Sequence, residues 1–368
     1  MIGDIGIVDE TDDLRAVREV TREFLAGVVP HDALDRKAAR ADRALWARAC
    51  AELGVAGVAV PSERGGLGIG VAGLAVVCAE AGRALAPLPL VGSVAGAQTA
   101  LLLAGADDVL PDLLSGERIA ALAVADGAGP PVIAEPTTAR HDGTGWRIDG
   151  AKWFVPDGCS ADPLLVPAVT PEGPSLFLVD SAAPGLERTG VDVMDLTRDV
   201  ARIGLDGTPA RLIGRPGAWS ATAEQVRLLQ TVAAAAENLG GAERCLDDAV
   251  EYAKLRVQFG RPIGSFQSIK HRCADLAADV DDARSAVLHA AWAADESPEH
   301  LPAAAALAGE ATTRAYLACS AENVQIHGGV GFTWEHTAHL HFRRARSTAA
   351  LYGSPRHHRE ALLRAMGI

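Results

Sequence analysis

The sequence predicts a mainly α-helical protein with one small β domain set between two helical regions. Three observations carry that expectation. Alanine-rich, helix-periodic stretches fill both ends, including the runs Ala233–Ala236 and Ala303–Ala306, and alanine favours helices that pack closely. From about Arg118 glycine, proline and alternating apolar residues replace that periodicity, and from about Ser220 it returns. The chain has 368 residues, 49% of them hydrophobic, which is more than one simple core holds. The expected domains are a helical domain over 1–117, a β domain over 118–213 and a helical bundle over 214–368.

The elements follow in order. Thr11 opens a helix with Asp12 and Asp13 in its first turn and Leu14, Val17 and Phe24 along one face. A second helix is expected near Ala44–Leu53, then the turn-rich LGVAGVAVPSERGGLGIG, then an apolar helix in VAGLAVVCAEAGRALAPLPL. No residue between Arg83 and Asp107 is charged, which is long enough to span a bilayer. Its prolines, glycines, Gln98 and Thr99 read instead as a buried loop leading into a helix. In the β domain, Trp146 and Ile148 and then Trp153, Phe154 and Val155 read as strands around an Asp149-Gly150 turn. Ser175–Asp180 and Ala201–Gly207 read as further strands. Ser265 is expected to cap a helix whose Phe266, Ile269, Cys273, Leu276, Val280, Ala283 and Val287 form a bundle seam. Pro302 starts another helix, ending near Gly328-Gly329.

Composition excludes several function classes. The formal net charge of -13 argues against nucleic acid and anionic membranes as partners. Six cysteines are scattered without a Cys-x-x-Cys pair, so neither a zinc site nor a disulfide framework is expected, and buried thiols in a reducing cytoplasm are. The acidic N-terminus lacks a signal-peptide pattern. His336, His339 and His341 have no carboxylate ligand at fixed spacing and stand among Arg343, Arg344 and Arg346, so no metal site is expected. That basic run reads as a solvated or interface face, or as help for a nucleotide phosphate.

The most informative stretch is Tyr252–Gln267, YAKLRVQFGRPIGSFQ. A guanidinium beside a glycine turn suits a pyrophosphate, because it donates two parallel hydrogen bonds to an anion. A second motif, QIHGGVGFTWEH at Gln325–His336, places glycines after a helix, where a ligand can approach the backbone. Together these resemble the two cofactor segments of the acyl-CoA dehydrogenase family. LGVAGVAVPSERGGLG and EAGRALAPLPL are similar to that family's N-terminal helical domain. The resemblance implies the acyl-CoA dehydrogenase fold: an N-terminal helical domain, a middle β-barrel and a C-terminal four-helix bundle. It also implies FAD, bound between subunits. Arg256, Gln258 and Phe259 would meet the pyrophosphate and adenine side, with Gln325, Gly328 and Gly329 completing the site.

The sequence departs from the family where the subunit's own flavin ring would lie. ADGAGPPVIAEPTTAR replaces the usual Thr-Glu-Pro-Gly-x-Gly-Ser segment, and Gly127 and Gly129 lack its hydroxyl partners. Trp153-Phe154-Val155 stands for Trp-Ile-Thr/Ser; Trp153 would pack on a flavin ring, or is an ordinary core aromatic, while Val155 has no hydroxyl. The family's catalytic Glu occurs at one of two places, here Tyr352 and Val257, so no catalytic base is assigned. A phenol, with a pKa of about 10, is a poor base. The position of a substrate-orienting Arg aligns with Thr231. Glu237, in the apolar setting AAAENLGG, is a candidate relocated base; its plainer role is a helix-face residue or a partner of Arg244.

The expected function is therefore a subunit of an FAD-dependent acyl-CoA dehydrogenase that completes a flavin site without supplying the base. The resemblance extends to the small subunits of α2β2 enzymes that desaturate steroid side-chain CoA thioesters in actinobacteria, with a homologous catalytic subunit, an acyl-CoA and electron-transfer flavoprotein as partners. The alternatives are a self-sufficient homotetrameric dehydrogenase and a flavin-free binding protein on the same fold.

Overall fold

A computed structural model describes residues 11–29, 42–127 and 136–368. Helices α1 (Asp12–Val28), α2 (Arg43–Leu53) and α3 (Val71–Ala84) open the chain. A π-helical segment, Leu90–Gln98, runs directly into α4 (Thr99–Ala104), and α5 (Leu110–Leu114) follows. Thr11 caps α1, its hydroxyl accepting from the Leu14 amide. The uncharged stretch after Arg83 is thus mostly helical and buried, and no helix among the described residues is long and apolar enough to cross a membrane.

Seven strands follow: β1 (Ala121–Leu122), β2 (Thr138–His141), β3 (Trp146–Pro156), β4 (Leu164–Thr170), β5 (Gly173–Val179), β6 (Leu186–Gly190) and β7 (Val200–Ile213). Strand β4 pairs with β2, β2 with β3, β3 with β7, β7 with β5, and β5 with β4 again. The ring is closed, so these five strands form a barrel, with β1 added on β4 and β6 on β7. Ile148, Val155, Leu164, Val166, Phe177 and Ile203 fill it.

One expectation here is corrected. Asp149-Gly150 is not a turn. Both lie inside β3, where the register against β7 shifts between Ile148 and Gly150 and glycine accepts a φ of +141°. The hairpin instead turns at Asp142–Gly145, where the Asp142 carboxylate accepts from the Thr144 and Gly145 amides. The strand LLVPAVT, β4, had no expectation of its own because it is a continuous apolar run without alternation.

The C-terminal region holds α6 (Trp219–Leu255), the short strands β8 (Val257–Gln258) and β9 (Arg261–Pro262), α7 (Gln267–Glu296), α8 (Leu301–His327), α9 (Ala338–Tyr352) and α10 (Pro355–Ala365). Ser265 does not cap α7. It sits in a single 3-10 turn, its hydroxyl buried without a partner, and Phe266 takes the cap position. The main core joins both helical regions. Side chains of α1, α2 and α3 pack on α6, α7 and α8 through Leu25, Trp46, Leu74, Val232, Leu239, Val280 and Tyr316. The backbones of α3 and α6 touch: a Cβ on Gly240 would lie 1.7 Å from the Ala79 carbonyl oxygen, and one on Gly82 would lie 2.0 Å from that of Glu237. Only glycine permits that approach, and it fixes the Glu237 turn of α6 against the N-terminal helices.

Candidate functional site

The ends of α6 and α8 bring the two glycine segments together. Tyr252 stacks on His327 at 4.2 Å, and His327 lies 4.2 Å from the His336 ring. Ala249, Ala253 and Ile326 form a small buried cluster beneath them, with Ile263, Ile269 and Cys273 packed against it. The His327 ring donates from Nδ1 to the Asn323 carbonyl oxygen at 2.8 Å, which fixes its orientation.

From this base an exposed edge projects. Strands β8 and β9 make a two-residue ladder around Phe259 and Gly260, both at positive φ (52° and 75°). Phe259 is 90% exposed, Val257 53% and Leu255 76%. Phe259 meets Phe266 edge-on at 6.1 Å, and the Arg261 guanidinium lies 4.3 Å from the Phe266 ring. Arg256 and Gln258 are exposed, and no ion pair of Arg256 is found among the described residues. On the other segment Gln325 is exposed, and a Cβ on Gly328 or Gly329 would meet nothing within 4 Å. Phe332 (75% exposed) and Trp334 (50%) continue the edge, with the Arg343 guanidinium 5.6 Å from the Trp334 ring. An available guanidinium, open glycine backbone and unburied aromatic faces suit one half of a flat-ringed dinucleotide diphosphate.

Trp153 belongs to a different surface. It sits on β3, its amide donates to the Ala125 carbonyl at 2.8 Å, and the Arg202 guanidinium covers one ring face at 5.1 Å. Val155 is buried in the barrel, and Gly129 lies outside the described residues. Nearby, Lys152 is 1% exposed and its ammonium donates to the Asp126 carboxylate at 2.6 Å. Burial pulls the Lys152 pKa down, while Asp126 pushes back. The pair lines a cleft of ≈ 650 Å³ between the barrel and the first turns of α6, walled also by Val124, Pro167, Val169, Trp219, Val226 and Gln230.

Two of the positions where a base was sought, Glu237 and Tyr352, are packed into a charged cluster. Glu237 does not pair with Arg244, which binds Asp248 at 2.9 Å instead. One Glu237 oxygen accepts from Arg198 at 2.5 Å and the other from Arg344. Arg344 is 2% exposed and also reaches Asp195 at 2.6 Å and the Thr197 hydroxyl. The reading of the basic run as a solvated face therefore fails at Arg344. Its partners lie on α6 and on the loop between β6 and β7, far away in sequence.

The Tyr352 hydroxyl is buried without a hydrogen-bond partner, and the Arg198 guanidinium lies 5.9 Å from its ring. Burial pushes the phenol pKa above its ordinary value, against the pull of Arg198. Asp157, whose carboxyl group is enclosed, is raised to about 7 by burial and by the neighbouring Asp199. Asp195 is lowered: burial opposes its charge, but Arg344 and Arg198 outweigh it. Arg198 is raised: burial opposes its charge too, but the attraction of Glu237 and its neighbours prevails. The Thr231 hydroxyl turns back to the Arg227 carbonyl of its own helix at 2.9 Å, and Val257 is on the exposed edge. His341 shares a 2.9 Å hydrogen bond with the Tyr316 hydroxyl, and no group of three or more metal-ligating side chains gathers among the described residues.

Known proteins match this architecture along the chain. The family model for the acyl-CoA dehydrogenase N-terminal domain matches residues 11–117, and that for the C-terminal domain matches residues 227–367. "Acyl-CoA dehydrogenase IpdE2" of Mycobacterium tuberculosis is 37% identical over 348 residues, covering 92% of this chain and 94% of that protein. The solved structure of a single-residue variant of the "Tcur3481-Tcur3483 steroid ACAD" shares 31% identity at a TM-score of 0.85, covering 97% of this chain and 98% of that one. A chain of the ChsE4-ChsE5 complex from Mycobacterium tuberculosis shares 30% identity at a TM-score of 0.89, covering 98% of each. The chain belongs to the acyl-CoA dehydrogenase family, whose cofactor is FAD.

Proposed function

We propose that this chain is the partner subunit of a heteromeric acyl-CoA dehydrogenase, completing a flavin site whose catalytic base lies on a homologous chain. FAD, when bound, would supply the hydride acceptor for α,β-desaturation of an acyl-CoA, and the carboxylate for the Cα proton would come from the homologous chain. Arg256 and Gln258 would hold the diphosphate from this side, Phe259 would cover the adenine, and Gln325, Gly328 and Gly329 would complete the cradle. Trp153, partly exposed beside Arg202, would pack on a flavin ring.

The observation that carries the reading is the state of Glu237. It is the carboxylate on α6 considered as a replacement base, and both its oxygens are engaged by guanidiniums. Tyr352, at the family's base position, is a buried phenol pushed still further from acting as a base. The exposed edge is the complementary half, since contiguous apolar exposure of this kind marks a contact surface. Two of the similar solved structures are described by pairs of chains, and one of them as a "steroid ACAD", so we extend the proposal to an α2β2 assembly acting on a steroid side-chain CoA thioester, with electron-transfer flavoprotein as acceptor.

Co-expression with a Glu-bearing homologue from the same genome tests this. The expected result is flavin in the copurified complex and acyl-CoA turnover only there. A chain that alone shows a flavin band and turns over an acyl-CoA would establish the self-sufficient enzyme instead. A stable chain that never raises the flavin content of any homologue would favour the flavin-free binding protein.

A further inference from the structure

The charged cluster does more than lack a base. Its members come from three parts of the fold: Asp157 follows β3, Asp195, Thr197, Arg198 and Asp199 precede β7, and Glu237, Arg344 and Tyr352 lie on α6 and α9. Two guanidiniums, Arg198 and Arg344, stand among four carboxyl groups, Asp157, Asp195, Asp199 and Glu237. Ala86, Pro87 and Leu88 close the cluster from the N-terminal domain, and the remaining gap is ≈ 10 Å³, room for no more than about one water.

The π-helical segment Leu90–Gln98 follows these residues in the chain and abuts Asp157. A Cβ on Gly92 would lie 2.4 Å from the Asp157 Oδ2, and one on Gly96 would lie 2.5 Å from the Gln230 Nε2. Gln230 donates to the Val91 carbonyl at 3.3 Å. Asp157 and Gln230 therefore abut successive turns of one segment. Gln230 also lines the open ≈ 650 Å³ cleft, so one segment touches both the cleft and the charged cluster.

We propose that Asp157, Arg198, Glu237 and Arg344 form with Tyr352 a plug that keeps an acyl thioester out of this chain's own interior, so that restoring a carboxylate at position 352 does not restore a reaction site. This rests on the reading above that Tyr352 marks the base position of a silent subunit. Arg198 and Arg344 are paired with Glu237 and Asp195, so admitting a ligand by moving one partner would leave a buried charge uncompensated. Silence is thereby built into packing and not into one missing side chain.

Equilibrium dialysis of the complex with labelled octanoyl-CoA, corrected for binding of free CoA, reads the number of acyl-dependent sites. The wild-type complex and Tyr352→Glu should both bind one thioester per pair of chains, with unchanged turnover. Arg198→Ala with Tyr352→Ala leaves the Glu237–Arg344 pair in place and should raise the number to two, its near-ultraviolet circular dichroism reporting that the fold persists. A second site in Tyr352→Glu alone overturns the plug, as does a folded double variant that still binds one. Should the double variant not fold, the count for Tyr352→Glu decides by itself. Flavin and turnover in the isolated wild-type chain would instead sink the partner-subunit reading, a separate readout on a separate sample.

Discussion

The C-terminal end and the middle of α6 solve opposite problems. Near Leu255 the helix runs out into an edge where Phe259, Phe332, Trp334 and Leu255 remain exposed and Arg256 is available to an anion. At Glu237 the same helix is pressed against α3 at Gly240 and ties into Arg198 and Arg344. On the reading proposed above, the first region is completed by a partner chain, while the second has room for no more than about one water.

The largest effect should come from breaking the closed region. Arg344→Met removes one of the two cations shared by Glu237 and Asp195, leaving Arg198 alone between them, and should cost about 3–5 kcal/mol of unfolding free energy. Urea unfolding of the isolated chain measures this, and a loss below about 1 kcal/mol would show that the cluster contributes little.

Changes at the exposed edge should leave the fold alone. Arg256→Ala should alter stability by no more than about 0.5 kcal/mol, as exposed positions do, yet lower the flavin content of the complex several-fold. Equal flavin in variant and wild-type complexes would remove Arg256 from the site. Trp334→Ser should weaken association with the catalytic chain by about tenfold, or about 1.4 kcal/mol, by titration calorimetry. Unchanged affinity would place the partner elsewhere.

The smallest effect is a pH dependence with two opposing parts. The carboxyl of Asp157 is raised in the fold from 3.8 to about 7, so its neutral form is favoured. Its contribution to stability is present below about pH 4 and lost as pH rises to 7. His358 is lowered from 6.5 to about 4 by burial, so its contribution is present above pH 6.5 and lost as pH falls through 4. Asp157→Asn should gain stability over wild type at pH 8 relative to pH 4, and His358→Gln should flatten the acid limb. Parallel stability curves for wild type and either variant would contradict the corresponding assignment.

The helical regions and the place of the β domain between them were legible because their signals are local. Alanine periodicity marks α6 and α8, and RVQFG and HGGVG carry the edge within a few residues each. The closed cluster was not legible. Arg344 sits in a run of arginines that reads as surface, and its partner Glu237 is 107 residues away. Only the fold reveals that such a residue is buried. Asp149-Gly150 misled for a related reason, since the pair that makes a tight turn also makes a bulge, and the choice depends on pairing with β7.

The most direct test of the central claim is flavin stoichiometry with and without the catalytic homologue. The isolated chain should carry no flavin and no acyl-CoA dehydrogenase activity, while the copurified complex holds flavin that Arg256→Ala releases. Flavin and turnover in the isolated chain, unaffected by Arg256→Ala, would contradict it.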